Sequence, residues 1–572
     1  MKKFTLLICL NFISFQIAFS QSLLWNDNIG QWTDDYPIDI DKTSDGILVT
    51  STVAFTNTNV KGLYKYDENG NLTWVFDFFD EFTAYSFLGS VVDENDNIYT
   101  LLVLDNNSIE SLTINGLNFY TGISLLKINS LGEIEWNKKI GGQAEGVSIM
   151  YANGNIYVVG QFFGSINVNN QTNLVSNQFW DCFSFVFKTG EDYFIAKFDT
   201  LGNLKGATSF GEDYPDHLAG AKIDIIENIY LTGSSDLHPC SVTYTHITKY
   251  DSNLQPVWKK ELSKISSESS LLYPSGIHAS IDDRIYIWGN YFDSISNIDY
   301  STPSANCLII TPFQGMFDSI LLVYDSTSGN YINSKVYNTC NSEVLETFGN
   351  HQTMTVNRAT INDLNANEII VFTTFFNRMN FSNGTYEPSN RVSSFNEFLY
   401  DENLLLFSVN KNDLESNFIQ NFSGSLPSDL GVGLRDVAGF ALIDNNNYYL
   451  TAAFQENPLN IFEGSLTNNS GNNNSDVAVS KLNLQNVLSL NDFEENKEFA
   501  LYPNPFENSL YFKSNYKFNI HELNIYTTEG RLVKSIIKFE DKINLNFLSS
   551  GIYIAEIIFD DKSSFTQKIV KK

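Results

Sequence analysis

Histidine and cysteine are scarce: six and five residues in a chain of 572. Scarcity of both argues against an acid–base constellation or a thiolate metal centre, and none of G-x-S-x-G, H-E-x-x-H, G-x-x-x-x-G-K-[ST] or C-x-x-C occurs. The run LGVGLRD (430–436) begins like a dinucleotide loop but lacks its third glycine. Positive charge is also short, 35 Lys and Arg against 66 Asp and Glu, a net charge of −31. Nucleic acid and anionic lipid are therefore poor partners. Beyond the N-terminus no apolar run is long enough for a helical membrane span. Apolar residues nonetheless make up 43% of the chain and aromatics 14%, which is ample for a core.

The first twenty residues, MKKFTLLICLNFISFQIAFS, hold two lysines, an apolar run from Phe4 to Phe19, and small residues Ala18 and Ser20. This is the pattern of a secretory signal, with cleavage expected between Ser20 and Gln21. The mature chain is expected to have no transmembrane segment. Residues 499–572 hold slightly more Lys and Arg than Asp and Glu, so the acidity belongs to the region before them.

That region is built from a repeat. A short apolar strand follows an Asp, Asn or Gly turn, as in SDGILVT (44–50), ANGNIYVVG (152–160) and DDRIYIWGN (282–290). A second run then reads L-x-K-Y-D-x-x-G-x-x-x-W, as in LYKYDENGNLTW (63–74), LLKINSLGEIEW (125–136), FIAKFDTLGNLKG (194–206) and HITKYDSNLQPVW (246–258). Each half is a hairpin, so one repeat is a four-stranded antiparallel unit. Seven copies spaced by roughly 67 residues predict an all-β chain: a seven-bladed β-propeller over 21–490, then an acidic linker at 491–498. The seventh repeat lacks its last strand after NLQNVLSL, while WNDNIG (25–30) matches the missing piece. Residues 22–30 are thus expected to complete the last blade and close the ring. Insertions at 161–191, 234–245, 291–318, 339–358, 375–403 and 454–475 fall on one rim, where function is expected. Cys182, Cys240, Cys307 and Cys340 map to that rim. In an exported protein they are expected to form disulfides, and the sequence leaves their pairing open. A zinc site from His238, Cys240 and His246 matches no common spacing. The acidic turns Asp39-Asp41-Asp45 and Asp93-Asn95-Asp96-Asn97 read as Asx-capped hairpins rather than calcium loops.

The D-x-x-x-x-K spacing at Asp192–Lys197 and Asp476–Lys481, with N-G-N-I-Y-V-V-G before it, resembles the bacterial seven-bladed β-propeller repeat family. That resemblance implies a fold and an extracytoplasmic setting, not an activity. KYDENGNLTW and KYDSNLQPVW also look like repeats of quinone-cofactor dehydrogenases. Those resemble an eight-bladed ring with a metal and cofactor pocket, whereas seven repeats are counted here and no ligand cluster is legible. The glycine is read as a turn and the tryptophan as a wedge between blades.

Residues 499–572 change pattern to short alternating strands with turns at Thr528-Glu529-Gly530 and Ser549-Ser550-Gly551, which predicts a small Ig-like β-sandwich. The tail closely resembles the type A C-terminal sorting domain of the type IX secretion system of Bacteroidetes. Its matching residues are Tyr502, Pro503, Asn504 and Pro505, Gly530 with Leu532 and Val533, Leu548 with Gly551 and Tyr553, and Lys568-Ile569-Val570-Lys571. The resemblance implies the type IX machinery as partner, and a product secreted or attached to the outer cell surface. No catalytic, cofactor or metal residue is assigned. The expected function is a non-catalytic binding or adhesion module that recognises a glycan or protein through the insertion face, with Phe162, Phe163, Trp180 and Phe183 as stacking candidates. A polysaccharide-acting enzyme with paired carboxylates and a structural surface-layer component are the alternatives.

Overall fold

The computed structural model describes residues 20–572 except 31–34, 54–60, 78–84, 105–110, 115–116, 142–143, 182–185, 212–215, 239–241, 265–270, 293–317, 338–358, 376–378, 382–383, 387–390, 395–396, 401–402, 423–438, 445–446, 455–458, 462–463, 468, 470–475, 486–498, 503–504, 515–519, 528–530, 538–541 and 560–563. Among the described residues the chain is all-β, without a helix, and so without a helix able to cross a membrane. It divides into two units, Gln21–Leu484 and the C-terminal Gln485–Lys572.

Among its described residues the larger unit contains seven four-stranded antiparallel sheets. Six run in simple chain order, the first being Asp35–Thr43, Gly46–Val53, Lys61–Asp67 and Leu72–Asp77. The second begins with Tyr85–Val92, the third with Ala144–Ala152, the fourth with Asp216–Ile223, the fifth with Leu271–Ala279 and the sixth with Ala359–Asp363. The seventh is ordered Gly439–Asp444, Asn447–Phe454, Asp476–Gln485 and then Ser20–Ile29, so the N-terminal strand supplies its fourth member. Among the described residues no sheet closes on itself. The first strands touch one another in succession from the first sheet to the seventh, and Gly439–Asp444 touches Asp35–Thr43.

The reason lies in the strand pattern. Second and third strands such as Asn155–Phe163 and Glu191–Asp199 are buried on both faces and read as continuous apolar runs, while fourth strands such as Ile134–Lys139 are partly exposed. Apolar clusters therefore form between sheets: Tyr99, Leu125, Ile156 and Phe194 join the second and third, and Trp288, Leu321, Val371 and Phe407 join the fifth and sixth. First strands bend. Their ladders shift register at Pro37/Asp39, Phe87/Gly89, Glu145/Ser148, Leu218/Gly220 and Pro274/Gly276, one bulge at the corresponding place in each of the first five sheets. A bulge re-aims a strand, and at Gly276 the bend brings the backbone so close that a Cβ would lie 2.4 Å from the Ala359 carbonyl oxygen in the sixth sheet.

Two-stranded ribbons occupy connections between second and third strands. Ser111–Ile114 pairs with Leu117–Tyr120 in the second sheet, Met379–Phe381 with Gly384–Tyr386 and Arg391–Ser394 with Glu397–Tyr400 in the sixth, and Leu459–Ile461 with Gly464–Leu466 in the seventh. The third sheet carries two, Ser165–Val168 with Thr172–Val175 and Gln178–Asp181 with Val186–Thr189. The ribbon at 111–120 was not anticipated as an insertion. At 234–245, by contrast, the expected insertion is a lengthened hairpin: Ile229–His238 and Val242–Tyr250 stay paired out to His238 opposite Val242.

The C-terminal unit has a three-stranded sheet, Phe499–Tyr502, Ser509–Ser514 and Lys542–Asn544, and a four-stranded one ordered Leu532–Ile537, Ile520–Thr527, Gly551–Phe559 and Ser564–Lys571. Leu501, Phe506, Leu510, Leu523, Ile525, Ile557 and Ile569 form the core they share.

Candidate functional site

Most residues of the repeat signature are committed to structure. The aspartate of K-Y-D accepts main-chain N–H groups two and four residues on: Asp67 from Asn69 at 2.9 Å and Asn71 at 2.8 Å, and Asp199 from Leu201 at 3.1 Å and Asn203 at 2.8 Å. Asp93 caps its turn in the same way through Asn95 and Asn97 and also accepts the Tyr99 hydroxyl at 3.0 Å. The turn glycine holds a left-handed conformation, φ 84° at Gly70 and 77° at Gly202. Against it lies the tryptophan of the preceding sheet. Trp74 abuts Gly132, Trp136 abuts Gly202, and Trp258 abuts Gly329. Trp25 of the N-terminal strand abuts Gly70, stacks on Tyr66 with ring centroids 5.8 Å apart and donates to the Glu68 carbonyl at 3.0 Å.

The lysine is a second staple. Lys197, Lys249 and Lys481 lie over the Tyr157, Tyr230 and Tyr449 rings at 5.0, 5.2 and 5.1 Å, and each ammonium reaches the next sheet. Lys197 meets Glu227 at 2.8 Å, Lys249 donates to the Ser326 carbonyl at 3.0 Å, and Lys481 donates to the Glu68 carbonyl at 3.0 Å. Burial works to raise the Glu227 carboxyl, but Lys197 and Tyr157 hold it below its ordinary range.

Asp192 and Asp476, the aspartates of D-x-x-x-x-K, hold the insertions. Asp192 accepts the Asn177 N–H at 3.1 Å and Asp476 the Asn469 N–H at 2.6 Å, each from a segment between second and third strands. The ribbons so anchored in the third sheet expose apolar side chains, Val175 61% accessible, Val186 49% and Phe187 69%, and Phe163, which ends the strand before them, is 55% accessible. Of the aromatics named from sequence, Phe163 is exposed but Phe162 is buried in the core beside Phe194, a correction whose reason is that the strand Asn155–Phe163 is buried on both faces up to Phe162 and emerges only at its last residue. Phe183 and the Trp180 side chain lie outside the described residues, as do Cys182, Cys240, Cys307 and Cys340. Phe187 was missed, since nothing in FVFKTG marks one phenylalanine as outward-facing. His246, offered as a zinc ligand, is buried, with its ring nitrogens 3.4 Å from the Tyr193 and Thr248 hydroxyl oxygens, and burial pushes its imidazole down to about 3. Among the described residues no group of three or more His, Cys, Asp or Glu is placed to hold a metal.

A polar cluster lies where the first strands meet. Asp39 accepts the Ile40 and Ser90 N–H groups at 2.9 and 3.4 Å, and Asp41 accepts those of Lys42 and Val92 at 2.8 and 2.6 Å, so both carboxylates cap the edge of the second sheet's first strand. Burial pushes the Asp39 carboxyl up to about 6, and burial with the neighbouring Asp39 charge pushes Asp41 to about 7. Lys222 of the fourth sheet acts on both carboxylates and also on His278 of the fifth. Between the fifth and sixth sheets Asp363 meets Lys411 Nζ at 2.7 Å and His278 Nε2 at 3.1 Å. The His278 contact is electrostatic rather than an aligned hydrogen bond, and burial lowers the imidazole pKa. Reading 39–45 as a turn missed this pair, though the alternation Ile38-Asp39-Ile40-Asp41 signals two acids on one strand face.

In the C-terminal unit Tyr502 pairs opposite Tyr511, Tyr553 donates to the Ser549 carbonyl at 3.1 Å, and Gly551 opens its strand opposite Lys571. Pro505 is exposed, and the next residue, Phe506, is buried and bonds the last strand through its N–H to the Val570 carbonyl at 2.9 Å. Lys568 lies on that last strand with its side chain exposed, next to the buried Ile569. Pro503, Asn504 and Gly530 lie outside the described residues.

Residues 500–572 match the family described as secretion system C-terminal sorting domain. No characterised protein matches the chain in sequence at a significant level. Among solved structures, the chain is similar to a quinohemoprotein alcohol dehydrogenase of Pseudomonas putida HK5 at 8% identity and TM-score 0.34, covering 85% of this chain and 79% of that one. It is similar to the α-L-arabinofuranosidase Arb93A of Fusarium graminearum at 8% identity and TM-score 0.33, covering 70% and 93%. It is also similar to PorZ, a surface component of the type IX secretion system of Porphyromonas gingivalis, at 11% identity and TM-score 0.14, covering 96% and 100%.

Proposed function

From a chain that ends in a type IX secretion sorting domain, and is therefore exported for release or for attachment to the outer cell surface, we propose that Gln21–Leu484 is a non-catalytic binding module. We read its seven sheets as the blades of a propeller closed by the N-terminal strand, with the ribbons gathered on one rim. Connections between second and third strands leave every such sheet at the same end, so a ring brings them to a common face. The observation that supports binding there is the third sheet's pair of ribbons, anchored by Asp192, which hold Val175, Val186 and Phe187 in the open, with Phe163 exposed at the end of the strand that leads into them. Exposed apolar groups on an anchored frame suit a glycan ring face or an apolar protein surface.

The test is binding of the mature chain to a glycan array and to surface proteins of the same cells, compared with a Phe163→Ala/Phe187→Ala variant. Loss of binding by at least tenfold without a change in unfolding temperature supports the reading. Binding that survives both substitutions sinks it.

A second reading, an enzyme acting on polysaccharide through paired carboxylates, draws support from Asp39 and Asp41, whose raised carboxyls suit proton transfer near neutrality. Against it, those carboxylates already accept main-chain N–H groups. Release of reducing sugar by the wild type and its loss in Asp41→Asn would establish that reading in place of the first.

A further inference from the structure

The first ribbon of the third sheet, Ser165–Val168 paired with Thr172–Val175, has two unlike faces. Alternation turns Ile166, Val168 and Leu174 inward, where they join the core cluster between the second and third sheets, and leaves Ser165, Asn167, Asn173 and Val175 exposed on the other side. The ladder sets Asn167 directly opposite Asn173, and Ser165 opposite Val175. Both ends of the ribbon are pinned. At its base the Ser176 N–H donates to the Gly164 carbonyl at 2.8 Å and the Gly164 N–H to Ser176 Oγ at 2.9 Å, and at its tip the Asn169 N–H donates to the Lys139 carbonyl of the second sheet at 2.7 Å. The exposed side is therefore a platform rather than a loose loop. From Gly146 to Trp180 the sequence has no Asp, Glu, Lys or Arg, in a protein that is 18% charged with a net charge of −31. Its outward face is polar without being ionic. The exposed side chains of Asn167 and Asn173 make no hydrogen bond among the described residues, so each presents its carbonyl oxygen and its NH2 group outward.

Resting on the binding reading above and narrowing its ligand, we propose that this face binds an uncharged glycan, a polysaccharide without uronate, sulfate or free amine groups. A sugar hydroxyl both donates and accepts, and an amide does the same through its NH2 group and carbonyl oxygen, so the Asn167 and Asn173 pair matches neighbouring hydroxyls in either sense. Val175, and Phe163 just before the ribbon's base, supply apolar surface for the C–H face of a ring. An acidic glycan finds no cation on this face and is repelled by the charge of the whole chain, while a cationic one finds no carboxylate there. A protein partner fits less well. Protein-binding patches have an apolar core, whereas here a single valine is bordered by amides and a serine. Because the ribbon is already pinned, binding orders little of the protein backbone, which favours affinity for a ligand that makes few contacts.

The experiment titrates the mature full-length chain with soluble glucans and mannans, and with alginate and polygalacturonate as acidic counterparts, by affinity gel electrophoresis and calorimetry. Wild type is expected to bind at least one uncharged polysaccharide and neither acidic one, with an affinity that changes less than twofold between low and high salt because no ion pair is involved. Asn167→Ala/Asn173→Ala should weaken that binding at least tenfold without lowering the unfolding temperature, since both side chains are exposed. Should the double variant misfold, Asn173→Ala alone and the polysaccharide preference of the wild type carry the test. Binding lost in Phe163→Ala/Phe187→Ala but unchanged in the asparagine variant overturns the amide platform and leaves the binding module standing. Binding unchanged in both variants overturns the two together. Loss in the asparagine variant alone supports the platform and removes Phe163 and Phe187 from it. Preference for an acidic polysaccharide, binding to a protein alone, or no binding to any of these polysaccharides overturns the uncharged-glycan assignment.

Discussion

Gly202 shows how closely single residues are held. Its φ of 77° lies in the left-handed region, and a Cβ would fall 2.4 Å from Lys138 and 3.2 Å from Trp136. Gly202→Ala is expected to destabilise by about 1–3 kcal/mol, combining left-handed strain with displacement of the tryptophan; urea unfolding of the purified variant measures it. Asp41 has a charge signature instead. Its folded carboxyl titrates near 7 against an ordinary value of 3.8, so the folded chain holds a proton that the unfolded chain has lost. The stability this group contributes is full below the unfolded value and is lost as pH rises through the folded one. Asp41→Asn should therefore gain on wild type in melting temperature between about pH 4 and about pH 8. Asp363 works in the opposite sense. Burial opposes its ionisation, yet His278 and Lys411 hold its carboxyl far below the ordinary range, so its contribution is lost on acidification.

At the scale of elements, the N-terminal strand stands out because it completes a sheet whose other strands lie more than four hundred residues away. The contacts that hold it include the ladder to Asp476–Gln485, Trp25 against Gly70 and Tyr66 with its indole N–H on the Glu68 carbonyl, and the Asn28 side chain, which donates to the Thr467 carbonyl at 2.7 Å and to Asp476 at 3.1 Å. Trp25→Ala should cost about 2–4 kcal/mol, at or below the range for buried tryptophan because the ring is only half-buried. Hydrogen exchange should show lost protection in both Asp476–Gln485 and Lys61–Asp67. Protection unchanged in Lys61–Asp67 would mean that the strand does not couple the seventh sheet to the first. The staples also explain why the repeat was readable: aspartate, glycine, tryptophan and lysine each perform one local task that tolerates few alternatives. Leu254 and Leu414 take the turn glycine's place at φ 62° and 59°, and there the signature weakened. Bulges and ribbons were harder to read. A bulge depends on how a neighbouring strand crowds the bend, whereas the ribbon at 111–120 carries its own hairpin signal, Asn115-Gly116 between alternating apolar residues, and is obscured only by the repeat's two-hairpin frame.

For the whole molecule, the sorting unit governs destination. Deleting residues 499–572 should leave the product inside the outer membrane and absent from the medium and cell surface, as read by fractionation and immunoblotting. Normal export of the truncated chain would mean that another segment carries the address. The sequence by itself determined the β class, the sevenfold repeat and the export tail, because alternation, turn chemistry and sorting residues are local patterns that survive without knowledge of the neighbours. Only the tertiary structure decided which acids matter. Asp39 and Asp41 lie in one strand but cap the edge of another sheet, and Phe162 is buried where Phe163, one residue on, lies past the packed part of the same strand. Burial and juxtaposition across sheets set a carboxylate's pKa and a side chain's exposure, and neither is written in the spacing of residues along the chain.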